Sequence, residues 1–172
     1  MSAPPKRYAE GTDVPVERSR SEIEATLKKH GASAFFSASD SERGVAQVGF
    51  RLAGRLFRLE IRTPTGTAAP KATRYEHTAQ KAERVAKWVA SEERRRWRAQ
   101  LLLVKAKLEM VATGETTVER EFLADMLMPD GQTVAQAALP SLAEMYRNGG
   151  APSIPLLGAG RARDVIDGEV ER

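Results

Sequence analysis

Apolar and polar residues alternate over Ala46-Gln47-Val48-Gly49-Phe50, and again over Phe57-Arg58-Leu59-Glu60-Ile61. A two-residue turn at Ala53-Gly54 folds these runs together. Phe50 then falls opposite Phe57, Val48 opposite Leu59 and Ala46 opposite Ile61. All six point to one side, as a hairpin with one buried face requires. The opposite side carries Gln47, Arg51, Arg58, Glu60 and Arg62. Ala32–Ala38, containing Phe35 and Phe36, predicts a third strand, joined to the hairpin by the turn-like Ser39-Asp40-Ser41-Glu42. No aromatic is assigned to the polar side, which argues against a base-stacking platform there.

On either side of the strands the apolar spacing changes to threes and fours. Ser19–His30 predicts a helix: Ser19 and Glu22 have capping-box spacing, Ile23 and Leu27 lie one turn apart, and Gly31 provides the stop. His77–Thr113 predicts a far longer one, with the stripe Val85, Val89, Trp97, Leu101, Val104, Leu108 and Val111 and no Gly or Pro inside. At ~1.5 Å per residue it would span about 50 Å, more than a compact domain of this size uses. Part of it is therefore expected to project or to pack on a second subunit, making a homo-oligomer. Gly114 ends this helix, and Thr116 with Glu119 opens a short one with Phe122, Leu123 and Met126 as its apolar face. Pro129-Asp130-Gly131 reads as a turn, and Thr133–Arg147 as a last helix bent or divided by Pro140. The fold class is α+β: an N-terminal helix, a three-stranded antiparallel sheet, a long helix, then short C-terminal helices. A single domain is expected over residues 13–147, with a flexible basic loop at 63–78. Residues 1–12 and the acidic stretch 148–172 are expected to be disordered.

Composition narrows the function classes. The 172 residues include no Cys and two His, which excludes a disulfide scaffold, a thiolate zinc site and a cysteine nucleophile. No apolar run approaches the ~18 residues of a membrane span, and the opening residues carry no apolar targeting stretch. A cytoplasmic protein without a membrane partner is expected. His30 and His77 have no partner at metal-ligand spacing, and Gly44, Gly49 and Gly54 fall in strands and turns rather than in a phosphate loop. No cofactor, metal or catalytic residue is expected. A metal-dependent nuclease would need Asp40, Glu42, Glu60, Asp125 or Asp130 to converge, and their spacing does not require it.

The net charge of +4 hides a segregation along the chain. Residues 1–50 are balanced, 51–107 carry fifteen positive and five negative side chains, and 108–172 have a net charge of −6. A block at +10 attracts phosphates, or is the solvated face of an amphipathic helix. Within Glu92-Glu93-Arg94-Arg95-Arg96-Trp97-Arg98, helical geometry places Arg94, Arg95 and Arg98 away from the apolar seam. Glu92 and Glu93 are spaced to pair with some of these arginines. Trp97 lies in the seam and reads as core; Trp88 lies off it and is the better stacking candidate. A second basic group, Arg51, Arg58 and Arg62, lies on the sheet and continues through Lys71 and Arg74 in the loop. These nine residues, Arg51, Arg58, Arg62, Lys71, Arg74, Trp88, Arg94, Arg95 and Arg98, form the candidate nucleic-acid surface.

The order helix, three strands, helix resembles the double-stranded RNA-binding domain in topology, and a sheet before a long helix resembles single-strand annealing proteins; neither likeness rests on a motif. Several stretches resemble small proteins encoded in tailed phages and prophages. They are Val14–Ser19, Gly49–Ile61, Arg96–Ala99, Lys105–Glu109, Glu121–Leu123 and Pro129–Val134. That resemblance implies a host bacterial cytoplasm and supplies no catalytic residues. Together these readings point to a non-enzymatic, DNA-associated phage protein acting in replication, recombination or genome maintenance, with strandedness open. A phage protein that modulates a host or phage enzyme, as in anti-defence, is the alternative, and a metal-dependent nuclease comes third.

Overall fold

The computed structural model describes residues 7–40, 42–71 and 77–149. Helix α1 (Val16–Lys29) leads into strands β1 (Ala34–Asp40), β2 (Val45–Leu52) and β3 (Arg55–Arg62). Helix α2 (Thr78–Ala112), the one-turn α3 (Val118–Glu121) and α4 (Val134–Arg147) complete the α+β order. The chain divides into two units, residues 1–136 and 137–172, with the division inside α4. No helix among the described residues is long and apolar enough to cross a membrane.

The strands form one antiparallel sheet in the order β1-β2-β3. In the β2–β3 pair, Ala46 faces Ile61, Val48 faces Leu59 and Phe50 faces Phe57. Ala53 and Gly54 both have positive φ, 50° and 75°, the backbone twist that two-residue hairpins favour. Strand β1 starts two residues later than the sequence predicts and pairs Phe35 with Phe50 and Phe36 with Gly49.

The row of six apolar hairpin residues is buried, together with Leu52. Ile23 and Leu27 of α1 cover it, as do Trp97, Leu101, Val104 and Leu108 of α2. The expected seam of α2 thus holds at its C-terminal half. Val85, Val89 and Val111 are only half-buried.

Phe122, at the end of α3, completes this core. Its ring meets Phe50 edge-on at 5.5 Å and Phe57 at 5.6 Å, while Phe50 and Phe57 stack at 5.2 Å. The chain then runs beside β3: Met126 bridges Phe57, and the Leu127 N–H donates to the Leu56 carbonyl at 2.8 Å. This pairing turns Leu123 away from the core, so it is half exposed rather than part of an apolar face.

Two helix starts differ from the sequence reading. Pro15, with extended ψ, begins α1, so Ser19 lies inside the helix, and its hydroxyl donates to the Pro15 carbonyl instead of capping. Glu22 is consequently free to reach sideways to Arg18 and Arg98. At α3 the cap is Thr117, one residue beyond Thr116, and its hydroxyl accepts from the Arg120 N–H. Helix α2 begins after His77, whose side chain and that of Gln80 form a reciprocal cap. Pro140 lies inside α4 without dividing it.

Nor does the disorder expected over residues 1–12 extend to residues 7–12. Turns there are closed by Glu10 N–H to Arg7 O and Thr12 N–H to Ala9 O.

Because Phe122 is fully buried against two other rings, Phe122→Ala is expected to cost about 3–5 kcal/mol. Leu123→Ala, one residue away but exposed, should change stability by no more than about 0.5 kcal/mol. Urea unfolding of the two variants measures the contrast.

Candidate nucleic-acid interface

The arginines of α2 are held by the protein itself. Arg95 donates two hydrogen bonds to Glu92, at 3.0 and 3.1 Å, and its side chain is only 16% exposed. Arg98 donates to Glu22 of α1 at 3.0 Å. The Arg94 Nε–H donates to the Thr12 carbonyl at 3.0 Å. Arg96, which borders the seam, reaches the Arg62 carbonyl at the end of β3 and lies 3.9 Å from Glu92. Glu92 also receives Arg7 at 2.8 Å and is itself buried. The three candidates Arg94, Arg95 and Arg98 therefore join α2 to α1 and to the N-terminal segment. They do not make an unpaired phosphate face.

Both glutamates titrate as these contacts require. The Arg95 hydrogen bond, with the charges of Arg95, Arg7 and Arg96, outweighs burial and holds the Glu92 carboxyl below its ordinary 4.5. At Glu22 burial raises the pKa, but Arg98, Arg18 and Lys105 together bring it below 4.5. Asp125 has the opposite balance: burial raises it above 3.8 despite Lys107 at 3.4 Å. Other cations of the basic block are paired as well, Arg55 with Glu119 and Lys87 with Glu83.

The open face of the sheet is different. The strand registers place Ala34, Phe36, Ala38 and Asp40 there, beside Val45, Gln47, Gly49 and Arg51, and then Leu56, Arg58, Glu60 and Arg62. Arg51 and Arg62 are exposed, and neither side chain has a hydrogen-bond or ion-pair partner among the described residues. Arg58 donates to the Gln136 amide oxygen at 2.9 Å, a neutral partner that fixes the guanidinium without cancelling its charge. Gln136 is itself set by a reciprocal pair with Thr133 at the start of α4. Beside these arginines is a groove of about 390 Å³ lined by Ala38, Asp40, Arg43, Gln47, Glu60 and Gln136, among others.

Phe36 overturns the expectation that this face lacks an aromatic. Phe36 is 49% exposed. A side chain on Gly49 would overlap the ring, its Cβ falling 1.9 Å from Cε1 and Cζ, so the ring rests on the β2 backbone. Lys71 is exposed and borders a separate groove of about 440 Å³ with Lys81 and Arg84, two cations the sequence reading did not select. Trp88 is half-buried on α2, Trp97 is buried as expected, and Arg74 lies outside the described residues. Among the described residues, no three His, Asp or Glu side chains gather closely enough to hold a metal ion. Comparisons with protein-family models, curated proteins and solved structures find no match to this chain.

Glu92 and Glu22 give stability a definite pH dependence. Their contribution is complete above pH 4.5 and falls as the pH drops through their depressed folded-state values. Glu92→Gln should flatten this acid limb and cost about 2 kcal/mol at pH 7, since charged hydrogen bonds to Arg95 and Arg7 are lost. Thermal melts from pH 7 down to pH ~3.5 check both effects, a range that brackets the ordinary carboxylate values.

Proposed function

We propose that this protein is a non-enzymatic nucleic-acid-associated protein that binds phosphates through the open face of its sheet. The observation carrying this reading is the state of Arg51, Arg58 and Arg62. They share one face, and none of them has a carboxylate partner among the described residues, whereas on α2 Arg95 and Arg98 are paired with Glu92 and Glu22 and Arg94 is tied to the Thr12 carbonyl. Guanidinium groups suit the task, because they stay charged and donate to phosphate oxygens in a planar fork. We take DNA as the partner, with a role in replication, recombination or genome maintenance, and the phage resemblance implies a host cytoplasm as the setting.

Phosphate contacts release counterions, so affinity should fall steeply with salt. Arg51→Glu with Arg62→Glu is expected to weaken DNA binding at least tenfold at about 50 mM salt and to flatten the log–log salt slope by about two. Arg98→Ala supplies the contrast: it breaks the Glu22 pair, lowers the melting temperature and leaves the salt slope unchanged. Fluorescence anisotropy measures the slopes. No binding at low salt by the unaltered protein would overturn the reading.

A protein partner is the second reading, favoured by the far side of α2. Leu103, Ala106 and Met110 are exposed there and, with Ala99, recur at alternating spacings of four and three residues. If this stripe joins two copies, light scattering will show a dimer that Leu103→Lys with Met110→Lys converts to a monomer. A monomeric mass for the unaltered chain removes the self-association version of this reading.

A further inference from the structure

We infer that Phe36 is a stacking seat for one base of a single-stranded nucleic acid. This site rests on the phosphate-binding reading above and adds strand selectivity to it. The ring crosses from β1 to the adjacent strand and occupies the space where a side chain of Gly49 would stand. A glycine inside a strand weakens the sheet, and an aromatic from the neighbouring strand that covers it restores packing. Cover explains why the ring lies there. Phe36 is nevertheless about half exposed, on the same face as Arg51 and Arg58.

Three features of this face bear on the ligand. First, Arg58 pairs with Gly49 on its other side, so it stands two strand spacings, about 10 Å, from Phe36. Arg51 lies two residues along β2 from Gly49, about 7 Å away. A base seated on the ring would thus have its flanking phosphates between two guanidinium groups. Second, Gln136 fixes Arg58 over the face through an uncharged hydrogen bond, leaving its charge available to an anion. Third, the groove that begins at Ala38 and Gln47, the next open-face positions along β1 and β2, is lined by Gln47, Gln136 and Glu60, amide and carboxylate groups of the kind that hydrogen-bond to exposed base edges. In a duplex the faces of the bases are covered by their neighbours, whereas an unpaired base can leave the stack for an aromatic ring. The combination of aromatic, paired guanidinium groups and amides therefore selects single strands.

The test compares a labelled oligo-dT strand with a duplex of equal length, by anisotropy at a fixed salt concentration of about 50 mM. Phe36→Leu retains an apolar cover over Gly49 and removes the π face. It should weaken binding of the single strand about tenfold or more, while leaving duplex binding and the salt slope unchanged. Phe36→Tyr should retain single-strand affinity, and Gly49→Ala, which displaces the ring, should lose it. Thermal melts of each variant verify that the fold persists. If the protein binds DNA but Phe36→Leu binds the single strand as tightly as before, the stacking inference is wrong and the phosphate reading stands. Preference of the unaltered protein for duplex has the same consequence. If neither DNA is bound, both fall together.

Discussion

Six apolar side chains on one face of a two-stranded hairpin must leave water, and no hairpin can bury them alone. Ala46, Val48, Phe50, Phe57, Leu59 and Ile61 therefore need a lid, and α1 and the C-terminal half of α2 provide it. That requirement sets the rest of the structure. It fixes which side of α2 faces inward, draws Phe122 back onto Phe50 and Phe57, and leaves the opposite sheet face open to solvent. The edge of β3 is then partly closed by Met126 and Leu127, so the segment after α2 contributes both an aromatic to the core and hydrogen bonds to the sheet.

Charge follows the same geometry. Closing α1 over α2 brings Glu22 within reach of Arg98 and Lys105, and the turn at residues 7–11 brings Arg7 to Glu92. Farther on, Asp125 meets Lys107 and Glu119 meets Arg55. Much of the positive block is in this way spent on holding elements together, partly by acids that lie far away in sequence. Half-buried guanidinium groups with charge-assisted hydrogen bonds are costly to release to a ligand. Arg51 and Arg62, exposed on the sheet face without such partners among the described residues, carry no cost of that kind.

The open face also carries a packing solution of its own. Gly49 leaves a gap in β2, and Phe36 fills it from β1. The filled gap becomes a platform because the ring is too large for the gap to hide. Gln136, placed by its cap with Thr133, then orders Arg58 over the same surface. Each of these contacts has a structural purpose, and together they gather an aromatic, basic groups and hydrogen-bonding amides on one sheet face.

Period-two alternation and the Ala53-Gly54 turn were enough to specify the hairpin register residue by residue, because a slip by one would have turned every apolar side chain outward. The long helix was legible too, as were the burial of Trp97 and the part of its seam from Trp97 to Leu108. One consequence of the same rule was available in the sequence as well: Phe35 and Phe36 are consecutive in a strand, so they must point to opposite faces, and one had to reach the open side. Which one did so depended on the β1–β2 register, and that is a tertiary choice. The fate of the α2 arginines was decided in the same way. Sequence spacing reveals partners three or four residues apart, such as Glu92 and Arg95. It cannot reveal that Glu22 will meet Arg98 across a helix interface, because that distance is set only when the apolar faces close. Local periodicity determined the elements and their buried sides; tertiary packing decided which charges remained without a partner.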